Sequence, residues 1–461
     1  MLLVSRRFQG PLRRYIMHPR LSLLFVALFT LPSLAAPPTV VKATPDNGDQ
    51  NVDPATKEIR ITFDQPMSRG GHSIVGGGPT FPKIGRPRWS DDRTMVIPVT
   101  LQPDHDYWFS INSSTFTNFR SRSGESATPY PIAFRTGKTG GAPGPAAPAI
   151  TLQQNKESVA ELKRAIDLDY SYRDLRKVDW DKEFAAATPR LQAAKTPRDF
   201  AIEAAKMLAK AGDIHVWLQV GSATIPTHRR SYAANFNRIT LANAVPGWKK
   251  HNDVVATGLF DDGTRYLFIA SWPGGESADA LEPAYELLAD AAAAKKPLII
   301  DVRANNGGDE TAARKFAGCF IDEPKVYGKN TIRQDGRFSN PLDRTVQPNK
   351  ARPQYRGKIA VLTGPGAISS CESFLLMMKQ VPGCKVIGLP SAGASGNPHP
   401  VELANGVTVY LSRWQDMRPD GTCFEGEGIA PDITVKTETR DFLTSDPVLA
   451  AAREYLLAQQ R

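Results

Sequence analysis

The 461-residue chain has only four cysteines, Cys319, Cys371, Cys384 and Cys423, all in its C-terminal half. Their spacing fits no zinc site. Buried free thiols or one structural bridge are expected of them rather than catalysis, and four cysteines would allow three pairings. Long apolar runs are equally scarce. The run LSLLFVALFTL near the N-terminus is too short to span a bilayer comfortably, so stable membrane insertion is not expected. No cysteine follows it closely, which argues against a lipid anchor. Lysine and arginine form no block interleaved with aromatics, so nucleic acid is not an expected partner. No internal repeat is present.

What precedes and follows that apolar run explains it. Arg6, Arg7, Arg13, Arg14 and Arg20 lie before it, and PSLAAPP lies after it. A basic stretch, a short apolar core and small residues at a cut site make a secretory signal. Residues 1–35 are therefore expected to be removed after Ala35, and the mature protein to be exported, periplasmic or secreted. Met17 offers an alternative start with a complete signal of its own. Ser5-Arg6-Arg7-Phe8 is a poor fit to a twin-arginine signal. The formal net charge is +10, and losing five arginines and no acids gives 10 − 5 = +5. That is a mild excess for a protein this long.

The length implies two or three units, since one core rarely grows so large. Residues 37–137 alternate short apolar runs with Pro, Gly, Asn and Asp turns, the pattern of a small all-β sandwich. They resemble bacterial Ig-like modules through Pro45-Asp46-Asn47-Gly48-Asp49-Gln50-Asn51-Val52, Ile61-Thr62-Phe63-Asp64-Gln65-Pro66-Met67 and Phe134-Arg135-Thr136-Gly137. Such modules usually space or bind, which leaves a cell-envelope contact open to this one. Residues 138–149, KTGGAPGPAAPA, read as a linker. Residues 150–215 are helical in pattern. Thr196, Pro197 and Asp199 form a helix start, and Phe200, Ala204, Met207, Leu208 and Ala211 share one face. DIHVWLQV then reads as a strand carrying Asp213 and His215. Residues 216–461 alternate strands and helices, which argues for an α/β core.

Chemistry concentrates in AISSCES, Ala367–Ser373, between the apolar runs KIAVLTGPG and FLLMMKQV. A strand, a glycine turn and a helix put these side chains at a helix start. There a nucleophile would have the next residue's N–H as an oxyanion donor, while the bland alternative is a capping turn. RANNGG, Arg303–Gly308, ends another apolar strand, at the end where α/β sheets bind ligands. It is either a second source of donors or a plain Asn-Gly turn. Beyond residue 35 the candidate basic histidines are His72, His105, His215, His228, His251 and His399. The first two fall in the β module, and the last three in Pro-, Arg- or Lys-flanked loops.

Several motifs in one order give the second half a family resemblance. They are Tyr170 with Val178-Asp179-Trp180, Leu208…Gly212-Asp213-Ile214-His215, Leu298 to Gly308, Ser369-Ser370-Cys371-Glu372, Gly388…Gly393-Ala394-Ser395-Gly396, and Glu425 to Asp432. Residues 150–437 thereby resemble the tail-specific and tricorn-core serine peptidases, especially the branch that includes interphotoreceptor retinoid-binding protein. The resemblance implies a crotonase/ClpP-like α/β core, a protein or peptide substrate and no metal or cofactor. It implies Ser369 as nucleophile and His215 as general base. Glu425 would complete the set, with Glu427 its near rival. The Ser370 N–H and that of Gly307, or alternatively Gly308, would bind the oxyanion. The tail-specific branch's lysine position is occupied by Ala394, so a Ser–Lys dyad is not expected. Between His215 and Asp301 no G-x-G-f carboxylate-binding loop marks a PDZ module. An exported serine endopeptidase of Ser–His–Glu type follows. The alternatives are a non-proteolytic protein holding a hydrophobic ligand on the same fold, and a protein whose N-terminal module does the work.

Overall fold

The computed structural model describes residues 37–458 apart from 47–48, 50, 79, 114–115, 139–148, 222 and 229–231. The expected signal segment, and the linker apart from its two end residues, lie outside the described residues.

The N-terminal module is two small sheets. One runs Val40–Thr44, Glu58–Phe63, Thr94–Thr100, Lys83–Ile84, with Arg88–Trp89 also on the third strand. The other runs Ile74–Val75, Asp106–Ile111, Tyr130–Arg135. Alternation along Glu58–Phe63 buries Ile59, Ile61 and Phe63, which meet Met95, Ile97, Phe109, Ile111 and Phe134 in one core. The period of two thus buries one side of each sheet, as a sandwich requires.

Three helices follow: Leu152–Leu168, Trp180–Ala193 and Pro197–Leu208. Thr151 with Gln154, and Thr196 with Asp199, form reciprocal capping boxes at the first and third. The middle helix carries Pro189 in its interior. Leu162, Ile166, Phe184, Leu191, Phe200 and Leu208 pack on Leu218, Val409 and Leu411 of a four-stranded antiparallel sheet. Its strands, in spatial order, are Ala223–Pro226, Trp217–Val220, Thr408–Ser412 and Pro398–Glu402. The sequence reading places His215 within a strand, but the strand begins at Trp217. Asp213 accepts the His215 N–H at 2.8 Å through its side chain and the Val216 N–H through its carbonyl. That is a turn built by a short acidic side chain, and it keeps His215 off the ladder.

The central sheet has seven strands: Lys249–Lys250, Val255–Leu259, Arg265–Ile269, Leu298–Asp301, Ile359–Thr363, Cys384–Gly388 and Ile433–Thr434. The first two pairings are antiparallel and the remaining four parallel. Leu298–Asp301 and Ile359–Thr363 are buried at every residue, as a sheet covered on both faces demands. Tyr285, Phe316, Phe374 and Leu375 fill one side. Leu241, Val448, Leu449 and Leu456 fill the other. Among the described residues no helix is long and apolar enough to cross a membrane.

Candidate active site

Three loops leave the C-terminal ends of adjacent parallel strands: 302–309 after Leu298–Asp301, 364–369 after Ile359–Thr363, and 389–396 after Cys384–Gly388. Backbone bonds lace them together. The Ile368 N–H donates to Asn305 O at 3.0 Å, the Ala392 N–H to Ala367 O at 2.9 Å, and the Ser369 N–H to Ala394 O at 3.0 Å.

Ser369 sits where these loops converge. Its φ of 58° and ψ of −126° lie outside the ordinary regions for a residue with a Cβ. Such strain costs on the order of 1–3 kcal/mol and persists only where surroundings enforce it. The enforcement is visible at Glu372, which is wholly buried. Its carboxylate accepts from the Ser369 N–H at 3.2 Å, Ser391 Oγ at 2.7 Å, the Gly393 N–H at 2.6 Å and the Ala394 N–H at 2.9 Å. One side chain thus pins the serine turn to the glycine-rich loop. Burial pushes Glu372 up to about 7, with those donors pulling it down.

The helix Ser370–Met378 starts at the next residue. The Ser370 N–H is therefore one of the donors that a helix start leaves without an intrahelical acceptor. The glycine turn abuts it from the other side. A Cβ on Gly307 would fall 2.9 Å from Ser369 Cβ and 3.3 Å from Ser370 N. Only glycine fits there, at a φ of +96°. The Gly307 N–H itself donates to Asn305 Oδ1 at 2.9 Å. The adjacent Gly308 N–H makes no hydrogen bond among the described residues.

His215 stands in its turn at 9% exposure, with Nδ1 buried and lacking a hydrogen-bond partner. The acid beside that nitrogen is Asp213, whose Oδ1 is 3.9 Å away. Asp213 is itself held by Tyr170 Oη at 2.9 Å and Ser412 Oγ at 3.0 Å. Burial lowers the histidine's pKa below its ordinary value; Asp213 and Asp416 oppose this, and Arg176 adds to it. That shift favours the neutral imidazole, the form a base requires.

Glu425 is buried and pairs with Arg176. It also accepts the Ser395 N–H at 2.7 Å and Ser395 Oγ at 3.1 Å. Burial and Asp213 raise its pKa, while Arg176 and the Ser395 N–H draw it down. Glu427 instead points outward to Arg418 at 3.1 Å with a 71% exposed side chain. Among the described residues no hydrogen bond joins His215 to Ser369 or to Glu425. Both neighbourhoods adjoin the 393–396 loop, through the Ala394 carbonyl on one side and Ser395 on the other. Sequence reading gave no role to Asp213, Arg176, Ser395 or Asp416. Of these only Asp213 carried a local signal, two residues before His215.

The remaining candidates separate cleanly. His251 bonds Thr257 Oγ1 at 2.8 Å, and His399 is exposed on the edge strand Pro398–Glu402. All four cysteines are free thiols. Cys371 is completely buried, and burial with neighbouring Glu372 raises its pKa well above the usual range. A native-state thiol reagent is therefore expected to modify the half-buried Cys423 before Cys371, read by peptide mass mapping. Early Cys371 labelling with loss of activity would reverse that assignment. No group of His, Cys, Asp and Glu among the described residues could hold a metal ion.

Comparison with known proteins matches residues 264–435 to peptidase family S41 and residues 35–136 to the bacterial Ig-like domain. The α/β region is thus similar to peptidase family S41 over residues 264–435. A "Probable CtpA-like serine protease" of Staphylococcus epidermidis is 30% identical over 142 residues, 30% of this chain and 28% of that protein. Its Staphylococcus aureus N315 namesake is 28% identical over 142 residues, covering 31% of this chain and 28% of that one. The chain thus matches under a third of the length of these curated relatives. A solved structure of a candidate peptidase from Parabacteroides merdae ATCC 43184 superposes with a TM-score of 0.57 at 24% identity. That superposition covers 67% of this chain and 98% of the other, so the shared fold extends well beyond residues 264–435.

Proposed function

We propose that the chain is an exported serine endopeptidase that hydrolyses protein or peptide substrates through an acyl-enzyme. The observation that carries this is Ser369, held at a strained strand-to-helix turn against the Ser370 N–H and the Gly307–Gly308 turn. In this reading His215 Nε2 takes the Ser369 Oγ proton as Oγ bonds the substrate carbonyl carbon. The oxyanion lies between the Ser370 N–H and a donor of the glycine turn, either Gly308 or Gly307 released from Asn305. Each such donor supports the transition state by roughly 3–4 kcal/mol. His215 returns the proton to the leaving amine, and water then cleaves the ester by the same route.

Asp213 builds the turn that carries His215 by accepting its backbone N–H, and its carboxylate charge lies 3.9 Å from the imidazole Nδ1. Glu425 works one step further out: it neutralises Arg176, whose positive charge otherwise weakens the base. Ala394 fills the position where a lysine base would stand, which supports a histidine mechanism.

In wild type, kcat/KM is expected to rise with pH through a pKa below the ordinary histidine value of 6.5. Asp213→Asn removes a charge that favours the imidazolium, so this limb should move to lower pH. Because Asp213 also builds the turn that places His215, the plateau should fall by about a hundredfold or more. A pH–rate profile reads both effects; an unmoved limb and an unchanged plateau would exclude Asp213 from the site. The second reading is a binding protein on the retinoid-binding-like branch, and the missing Ser369–His215 hydrogen bond favours it. Catalytic bonds of this kind are often long without substrate. Turnover of an unfolded protein substrate separates the two readings.

A further inference from the structure

Beside His215 lies a sheet face with no role in the mechanism above. In the four-stranded sheet Trp217 is directly opposite Pro226 on one side and Tyr410 on the other, and Tyr410 is opposite Pro400. Residues opposite one another share a face. One row of rings therefore crosses all four strands: Pro226, Trp217, Tyr410, Pro400. The two aromatic rings stack with centroids 4.6 Å apart and planes 13° apart. The alternate residues Leu218, Ile225, Val409 and Leu411 are buried against the helices, so the row occupies the opposite face. There Trp217, Tyr410 and Pro226 are half-buried and Pro400 is exposed.

This row adjoins the candidate site. Two residues along the strand from Tyr410, Ser412 donates to Asp213, and two residues before Trp217 stands His215. Gly396 presses on the same serine, since a Cβ there would fall 2.4 Å from Ser412 Oγ. Through Ala394, that loop holds the Ser369 N–H. The apolar strip is one row deep: the next row is Thr224, Gln219, Thr408 and Glu402. Flat rings bounded by polar groups suit about one ring-bearing side chain. The sheet edge suits an added strand poorly, because Pro398 and Pro400 lack the N–H groups that a new strand would pair with.

We propose that Pro226, Trp217, Tyr410 and Pro400 form a specificity subsite, which seats an aromatic or proline side chain of the peptide whose carbonyl reaches Ser369. The proposal rests on the peptidase reading, so its test has an arm that needs no turnover. In the first arm, kcat/KM is measured on peptides identical except for one Phe, Ser or Arg. Wild type should favour Phe, and Trp217→Ala and Tyr410→Ala should lose about tenfold or more on Phe while Ser is nearly unchanged. Trp217→Phe should recover most of the loss. In the second arm, the Phe peptide is titrated into Ser369→Ala with and without Trp217→Ala, by calorimetry. Binding weakened by the second substitution supports the subsite even if no peptide is ever cleaved, an outcome that would sink only the peptidase reading. Variants that remain folded by circular dichroism yet keep wild-type binding and preference would overturn the proposal. So would a preference for Arg that Trp217→Ala removes.

Discussion

Ser369→Ala is expected to lower kcat/KM for peptide hydrolysis by roughly 10⁴–10⁶-fold while the protein stays folded. The two halves of that expectation have separate causes. Removing Oγ removes the atom that forms the acyl-enzyme, and no neighbour replaces it: Cys371 is buried and Ser370 Oγ donates to Gly308 O at 2.9 Å. The fold should persist because what pins the turn is backbone. The Ser369 N–H holds Ala394 O and Glu372, and alanine keeps that N–H. Parallel assays of turnover and thermal unfolding check both. Turnover within about tenfold of wild type would place the nucleophile elsewhere.

The largest stability effect is expected from Arg303→Ala. Arg303 is wholly buried. It donates to Asp301 at 2.7 Å, to Asp446 at 2.8 and 2.9 Å, and to Asn235 O at 2.9 Å. It thereby ties the strand before the glycine turn to Asp446, whose own side chain caps the start of the C-terminal helix Pro447–Ala458 by accepting the Leu449 N–H at 3.0 Å. Truncation leaves two carboxylates without their cation in the interior. Losing one partner of a buried pair costs about 3–5 kcal/mol, so a fall in Tm on the order of 10 °C is expected. Arg303→Lys should be intermediate, since an ammonium cannot span both carboxylates as the fork does. Calorimetry decides; a change below about 1 kcal/mol would mean the cluster is solvated or slack.

How far the sequence reached depended on how local each feature was. AISSCES is a strand end, turn and helix start within one short stretch, so its geometry was readable, and Glu372 three residues on is the group that braces it. The β module and the central sheet announced themselves by periodicity. The resemblance names His215, but its setting is not legible, because one side-chain bond from Asp213 converts an apolar-looking strand into a turn. The helix Trp180–Ala193 falls within the span read as helical, but its own bounds are not legible, because Pro189 stands in its interior. Arg176 lies in the charged run RDLRK, and only folding brings it to Glu425, 249 residues away. Arg303 read as the start of a loop, and only folding brings Asp446 to it. Trp217 and Tyr410 became neighbours through strand register, which no single segment encodes.

The central claim, that Ser369 is an activated nucleophile, is tested most directly by a fluorophosphonate with peptide mass mapping, which needs no known substrate. The expected result is one adduct, on Ser369, lost in Ser369→Ala and slowed by about a hundredfold or more in His215→Ala. An unlabelled Ser369 in folded protein, or labelling at a rate indifferent to His215, would contradict it.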